Sequence, residues 1–158
     1  MFLIVDYIGF LGPFILILLT LYYFTFMSHT ISFTAVYILG YLANMALNFI
    51  LKNVIRESRP VDEKSILPIG RLSIDTYGMP SGHAQSVLYS TMMLILNTSS
   101  YYIIAWSIAI SCITIYQRYS YRNHTPNQLI AGSMVGMFMA WLTTFTFKKY
   151  AYKYNFQA

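Results

Sequence analysis

Residues 31–60 read ISFTAVYILGYLANMALNFILKNVIRESRP. The first 21 of them, Ile31 to Leu51, carry no charge; Lys52, Arg56, Glu57 and Arg59 then follow in close succession, and Pro60 closes the stretch. The hydrocarbon core of a bilayer is spanned by about 20 apolar residues of helix. The stretch therefore predicts a membrane-spanning helix that ends in a polar loop. The rest of the chain agrees. Of its 158 residues 57% are hydrophobic and 9% charged, with a mean hydropathy of +0.53. Soluble domains carry about 25% charged residues, so these charges are too few to cover a water-soluble globule. Composition excludes a disordered chain, a soluble enzyme and a disulfide framework. The single Cys112 lies in an apolar run and reads as a small buried hydrophobe.

Four further apolar runs flank this one: Tyr7–Met27, Ala84–Leu96, Tyr101–Tyr116 and Gln128–Phe147. The expected fold is all-α, a multi-pass transmembrane bundle of about five spans forming one membrane-embedded domain over residues 1–158, with a basic tail from 148 to 158. The first run has no Lys or Arg before it and no small-residue cleavage site after it, so it reads as a retained span. Pro13 is a candidate kink within it.

Five spans put Lys52–His83 and Arg118–Thr125 on one membrane face, with a turn around His29, the Asn97–Ser100 turn and the tail on the other. The tail, with Lys148, Lys149 and Lys153 and no acid, is assigned to the cytoplasm by the positive-inside rule. The charged loops are then lumenal or external. Asn97-Thr-Ser99 and Asn123-His-Thr125 match the glycosylation pattern; the first would face the cytoplasm and the second would lie in the site, so neither is expected to be modified. Basic residues clustered between apolar runs do not form the solvated stripe of a nucleic-acid binder. No run carries a charge at mid-span, which ranks a channel or transporter last.

Three segments share the charged face. Lys52 and Arg59 are seven residues apart, two helical turns, and would share a helix face up to Pro60. Tyr77-Gly78-Met79-Pro80-Ser81-Gly82-His83 opens the third run, where free N–H groups and the helix dipole favour an anion; Ser81 adds a hydroxyl, Gly82 permits close approach, and His83 can carry a proton. Arg118 ends the fourth run. Thr125 is a suitable N-cap for the fifth, Pro126 a suitable first residue, and Thr125-x-x-Gln128 fits a capping box, leaving His124 just outside a positive helix terminus. Each segment alone also has a structural reading: snorkelling anchors, an N-cap with a loop histidine, a capping box. Together they gather three cations, two helix N-termini and two histidines. That set suits phosphate, with fixed donors for its oxygens, one histidine to attack and one to protonate the leaving group.

The three segments resemble the type 2 phosphatidic acid phosphatase (PAP2) superfamily, whose signature runs Lys-x6-Arg-Pro, Pro-Ser-Gly-His, Ser-Arg-x5-His-x3-Asp. Here the matches are Lys52-x6-Arg59-Pro60, Pro80-Ser81-Gly82-His83 and Arg118-x5-His124-x3-Gln128. Gln117 replaces the motif's Ser, a departure of little expected weight. Gln128 replaces the Asp that orients the nucleophilic histidine in the family. Its amide oxygen can accept from an imidazole but cannot balance an imidazolium's charge. Gly78-Met-Pro-Ser-Gly-His83 with His124-Thr-x-x-Gln128 is similar to the dolichyl-diphosphatase branch, where Gln at this place is usual. Asp75 is the acid considered as a compensating charge.

The resemblance implies a core like that of PAP2 enzymes and vanadium haloperoxidases, and a covalent mechanism needing neither metal nor cofactor. His124 would be the nucleophile and His83 the acid and then base. Lys52, Arg59, Ser81, Gly82 and Arg118 would bind phosphate, and Gln128 would orient the nucleophile. The partner is a lipid phosphate in the bilayer: a polyprenyl diphosphate of dolichyl type, or alternatively phosphatidate or a similar monoester. The implied location is an endoplasmic reticulum membrane with a lumenal site, or the outer face of a plasma membrane. The reading from a different class is a membrane protein that binds phosphate lipids with weak or no turnover.

Overall fold

The computed structural model describes residues 3–27, 31–66 and 76–153. Among these, five helices follow one another: α1 (Ile4–Tyr22, extended by a π-helical stretch Tyr23–Met27), α2 (Ile31–Ile55), α3 (Gly82–Asn97), α4 (Tyr101–Ser120) and α5 (Pro126–Lys153). They coincide with the five apolar runs, each longer by up to a few turns. The turn around His29, Arg71, Asp75 and the last five residues of the basic tail lie outside the described residues.

Stretches 4–27, 32–55 and 126–151 are long and apolar enough to cross a membrane. The other two helices have different surroundings. α3 has 16 residues, and Ala84, Gln85, Val87, Tyr89, Ser90, Thr91, Met93 and Leu94 are buried among its neighbours. α4 has 20 residues and turns Ser107, Ser111, Thr114, Gln117 and Arg118 inward. Apolar side chains point outward instead: Leu18, Leu39, Trp106, Phe138 and Phe145 are all exposed. Cys112, read as buried, is exposed as well. A protein whose outer surface is apolar and whose core is part polar is built for lipid as solvent.

Lipid gives helices no hydrophobic reason to associate, so close packing and interhelical hydrogen bonds must hold them. The bonds also give the helix directions. Tyr37 Oη lies 2.8 Å from Ser90 Oγ, Gln85 Nε2 donates to Asn44 Oδ1 at 2.8 Å, and Asn48 Nδ2 donates to Gln85 Oε1 at 2.7 Å. As residue numbers rise along α2 they fall along α3, so these two are antiparallel. Thr91 and Ser111, 2.8 Å apart, join α3 to α4. Gly9 faces Gln117 and Gly12 faces Thr114, which sets α1 antiparallel to α4.

The most intimate contact is between α3 and α5, which run parallel. Gly132 and Gly136 lie against the backbone of Ser81 and Gln85, and a Cβ on either glycine would collide with a carbonyl oxygen there. Small residues four apart let two helices approach backbone to backbone. Their contact fixes the start of α3 beside the start of α5. With alternating directions, the end of α2, the start of α3, the end of α4 and the starts of α1 and α5 all meet at one end of the bundle.

Candidate active site

Two connections, α2–α3 and α4–α5, converge at that end. α2 stops at Ile55, where Arg56 takes a left-handed φ of 53° and its N–H bonds to the Lys52 carbonyl at 3.0 Å. The helix thus ends before Arg59, and the seven-residue helical spacing expected of Lys52 and Arg59 does not bring them together. Arg59 returns on a loop. That loop is tied down by Gly78 N–H to Glu57 O at 2.8 Å and Lys64 N–H to Tyr121 O at 2.8 Å.

The α4–α5 connection is a Schellman turn. Asn123 N–H bonds to Arg118 O at 3.0 Å and Arg122 N–H to Tyr119 O at 2.9 Å, with Arg122 at φ 53°. This pair of bonds satisfies the last carbonyls of α4 and needs a left-handed residue, a place usually taken by glycine. Arg122 also pairs with Asp62 across the surface, at 3.1 Å and with both side chains exposed, a contact of small energetic value. The turn delivers His124 directly to the N-terminus of α5.

There Thr125 and Gln128 form the expected capping box: Gln128 N–H donates to Thr125 Oγ1 at 3.3 Å and Thr125 N–H to Gln128 Oε1 at 3.2 Å. Gln128 Oε1 also lies 3.2 Å from His124 Nδ1. Capping and histidine contact are both served by one amide because the carbonyl oxygen has two lone pairs. Gln128 Nε2 donates to Glu57 Oε1 and to Ser58 O, each at 2.8 Å.

His124 is 3% exposed. Its Nδ1 is 3.0 Å from Gly78 O and its Nε2 is 3.4 Å from Arg59 Nη1. A guanidinium only donates and a carbonyl only accepts, so the tautomer is fixed from both sides. Nδ1 carries the proton, and the Nε2 lone pair faces the cation. Burial first, then the charges of Arg59 and Lys52, lower the pKa of His124 to about 3. The ring is an uncharged base with its lone pair directed at a cationic pocket.

The remaining residues singled out from sequence frame this centre. Lys52, 5% exposed, donates to Tyr77 O at 3.0 Å. Ser81 is fully buried and is the N-cap of α3, its Oγ accepting from Ala84 N–H at 3.5 Å, which leaves the hydroxyl proton for another acceptor. Gly82 lies beside Asn48. Arg118 is held by Gln117, Nε to Oε1 at 2.6 Å, and lies over the Phe10 ring at 5.2 Å. Gln117 therefore has more weight than its motif position suggested. Phe10 also neighbours His83, ring centroids 6.0 Å apart, so Arg118 and His83 share one aromatic wall.

Two participants were not found from sequence: Glu57 and Phe10. Glu57 was visible two residues before Arg59, but nothing in the motif spacing singled it out. Phe10 sits in an apolar run with nothing to distinguish it from its neighbours.

The chain belongs to the PAP2 superfamily, whose family model matches residues 33–152. It is a membrane-embedded helical member of that family. It is similar to dolichyldiphosphatase 1 of Homo sapiens, 30% identical over 129 residues, covering 71% of this chain and 50% of that protein. Dolichyldiphosphatase 1 of Plecturocebus moloch is 33% identical over 149 residues, covering 82% and 58%. Lipid phosphate phosphatase epsilon 1, chloroplastic, of Arabidopsis thaliana is 28% identical over 107 residues, covering 63% and 35%. The chain thus spans between 35% and 58% of the length of these relatives. No solved structure matches it.

Proposed function

We propose that this chain is a single-domain, metal-independent lipid phosphatase that removes the terminal phosphate of a polyprenyl diphosphate. The observation that carries the reading is the fixed tautomer of His124, with Nε2 3.4 Å from Arg59 and Nδ1 3.0 Å from the Gly78 carbonyl. A nucleophile must present a lone pair, and this histidine is held with one.

In the first step His124 Nε2 forms a bond to the terminal phosphorus as the bridging P–O bond breaks. His83 gives a proton to the departing lipid monophosphate. Lys52, Arg59, Arg118, Ser81 and the Gly82 backbone bind the phosphoryl oxygens, where each donor is worth a factor of about 10² to 10³. In the second step His83 takes a proton from water, which attacks phosphorus and breaks the N–P bond. Inorganic phosphate leaves and His124 is regenerated. The lipid tail stays in the bilayer throughout, because the site is at the bundle's end. The names of two similar proteins, dolichyldiphosphatase 1, favour a dolichyl-type diphosphate. With the basic tail cytoplasmic by the positive-inside rule, the proposed site is lumenal in an endoplasmic reticulum membrane or on the outer face of a plasma membrane. The chloroplastic relative's name favours a lipid phosphate as the second reading.

The test is phosphate release by the detergent-purified protein in EDTA, from a polyprenyl diphosphate and from phosphatidate in parallel. Release that disappears in His124→Ala supports the mechanism, and the faster substrate selects between the readings. No release from either lipid by folded protein overturns turnover and leaves a phosphate-lipid binder.

A further inference from the structure

The family's Asp is replaced here by an amide, yet the surroundings of that amide contain a carboxylate. Gln128 makes four hydrogen bonds through its side chain. Oε1 accepts from Thr125 N–H and from His124 Nδ1, both at 3.2 Å, while Nε2 donates to Glu57 Oε1 and to Ser58 O, both at 2.8 Å. The amide cannot be reversed: a carboxylate and a carbonyl accept only, and a backbone N–H donates only. Its oxygen therefore faces the imidazole.

We propose that Glu57 is a positioning residue for His124, acting through Gln128: its carboxylate holds and polarises the amide, so that the pair supplies the negative charge a directly bonded Asp would supply. The inference rests on His124 being the attacking group. A hydrogen bond to an ionised acceptor is stronger than a neutral one, and bonds in a chain polarise one another. As His124 bonds to phosphorus, positive charge develops on its ring. A carboxylate two links away answers that charge, whereas an isolated amide answers it only by its dipole.

Glu57 supports the other acceptor too, since its backbone carbonyl receives Gly78 N–H at 2.8 Å and Gly78 O faces His124 Nδ1 at 3.0 Å. A side-chain substitution leaves that backbone link in place and isolates the carboxylate's part. Removing such an outer partner typically costs ten- to a hundredfold.

The experiment is a cycle of Glu57→Gln in wild type and in Gln128→Asp, read by kcat and KM on the preferred lipid and by orthovanadate binding in calorimetry. Orthovanadate takes an imidazole nitrogen as a fifth ligand, so it probes His124 without turnover. In wild type, Glu57→Gln lowers kcat and orthovanadate affinity about tenfold, with KM changed less than about twofold. Against Gln128→Asp the same substitution changes neither by more than about twofold, because Asp has its own charge and no N–H to offer. Glu57→Asp, which keeps the charge, retains more activity than Glu57→Gln.

Equal losses in both backgrounds would make Glu57 a merely structural residue and overturn the proposal. So would an unchanged Glu57→Gln, or a Glu57→Asp worse than Glu57→Gln. If the wild type releases no phosphate, the phosphatase reading fails by itself, and the orthovanadate titrations still decide the part of Glu57.

Discussion

Arg59 meets His124 guanidinium to imidazole, Nη1 3.4 Å from Nε2. The pair joins a permanent positive charge to a base that must stay uncharged. The cation that prepares the pocket for an anion is also the one that, after burial itself, does most to prevent the base from taking a proton. In the proposed reaction, binding and nucleophilicity are thus set by one contact.

That contact gives the protein a stability that depends on pH. In the unfolded chain His124 takes up a proton near its ordinary 6.5, whereas in the folded protein its pKa is lowered to about 3. Between these values the unfolded state binds more protons, so stability is full above 6.5 and falls as the pH drops toward 3. The slope has an upper limit of about 1.4 kcal/mol per pH unit. The thermal midpoint in detergent should fall between pH 6.5 and 4.5, and His124→Asn should flatten the fall. A wild-type midpoint that is level across this interval would contradict the assignment.

Gly78 lies against the amide it shares with His124. A Cβ there would stand 2.6 Å from both Nε2 and Oε1 of Gln128. A side-chain end can usually move aside, but this one is held by four hydrogen bonds. Gly78→Ala should therefore displace Gln128 and lower kcat by about tenfold or more, the range seen when an orienting partner is lost. Steady-state kinetics beside Gly78→Ser, which should do at least as much harm, checks this.

Alanine at Gly132 and at Gly82 should separate packing from chemistry. At Gly132 the new methyl meets the Ser81 carbonyl and stands 3.1 Å from Ser81 N, so α3 and α5 must part. Overpacking of this kind costs about 1–3 kcal/mol, and a clear loss in thermal midpoint is expected together with lost activity. At Gly82 the methyl would lie 3.3 Å from Asn48 Oδ1, a side-chain end that can shift. Gly82→Ala should melt close to wild type and lose activity, and a large drop in its midpoint would refute this.

Arg122 occupies a left-handed position on an exposed turn, at φ 53°. Its ion pair with Asp62 is too exposed to repay the strain of that backbone. Arg122→Gly should keep or raise the thermal midpoint, and Arg122→Val, β-branched where φ is positive, should lower it. Activity should follow stability, because the turn carries His124. Two variants with equal midpoints would show that the turn tolerates any residue.

The helices were legible because lipid imposes a simple rule on composition: all five apolar runs became helices, three of them long and apolar enough to cross a membrane. The motif residues were legible because Pro80, Thr125 and Pro126 mark helix starts whatever surrounds them. Geometry across elements was harder to read. Lys52 and Arg59 look like a helical pair until Arg56 ends the helix four residues after Lys52. Glu57 is one charge among several after α2 in the sequence, and only the return of the loop brings it to Gln128. Gly132 and Gly136 were visible as small residues four apart, a spacing that could have announced the α3–α5 contact. Phe10 left no mark, since its value comes from what passes beside it.

The gathering of five helix ends at a single end of the bundle has a consequence for the proposed reaction as a whole. Such a molecule handles one leaflet. In the proposed reaction it acts only on lipid already facing its side. In sealed vesicles with the protein in one orientation, hydrolysis should stop once that leaflet is spent and resume when the bilayer is dissolved. The supply of substrate is then governed by whatever turns lipids over between leaflets, and the fold itself makes the enzyme a reporter of sidedness.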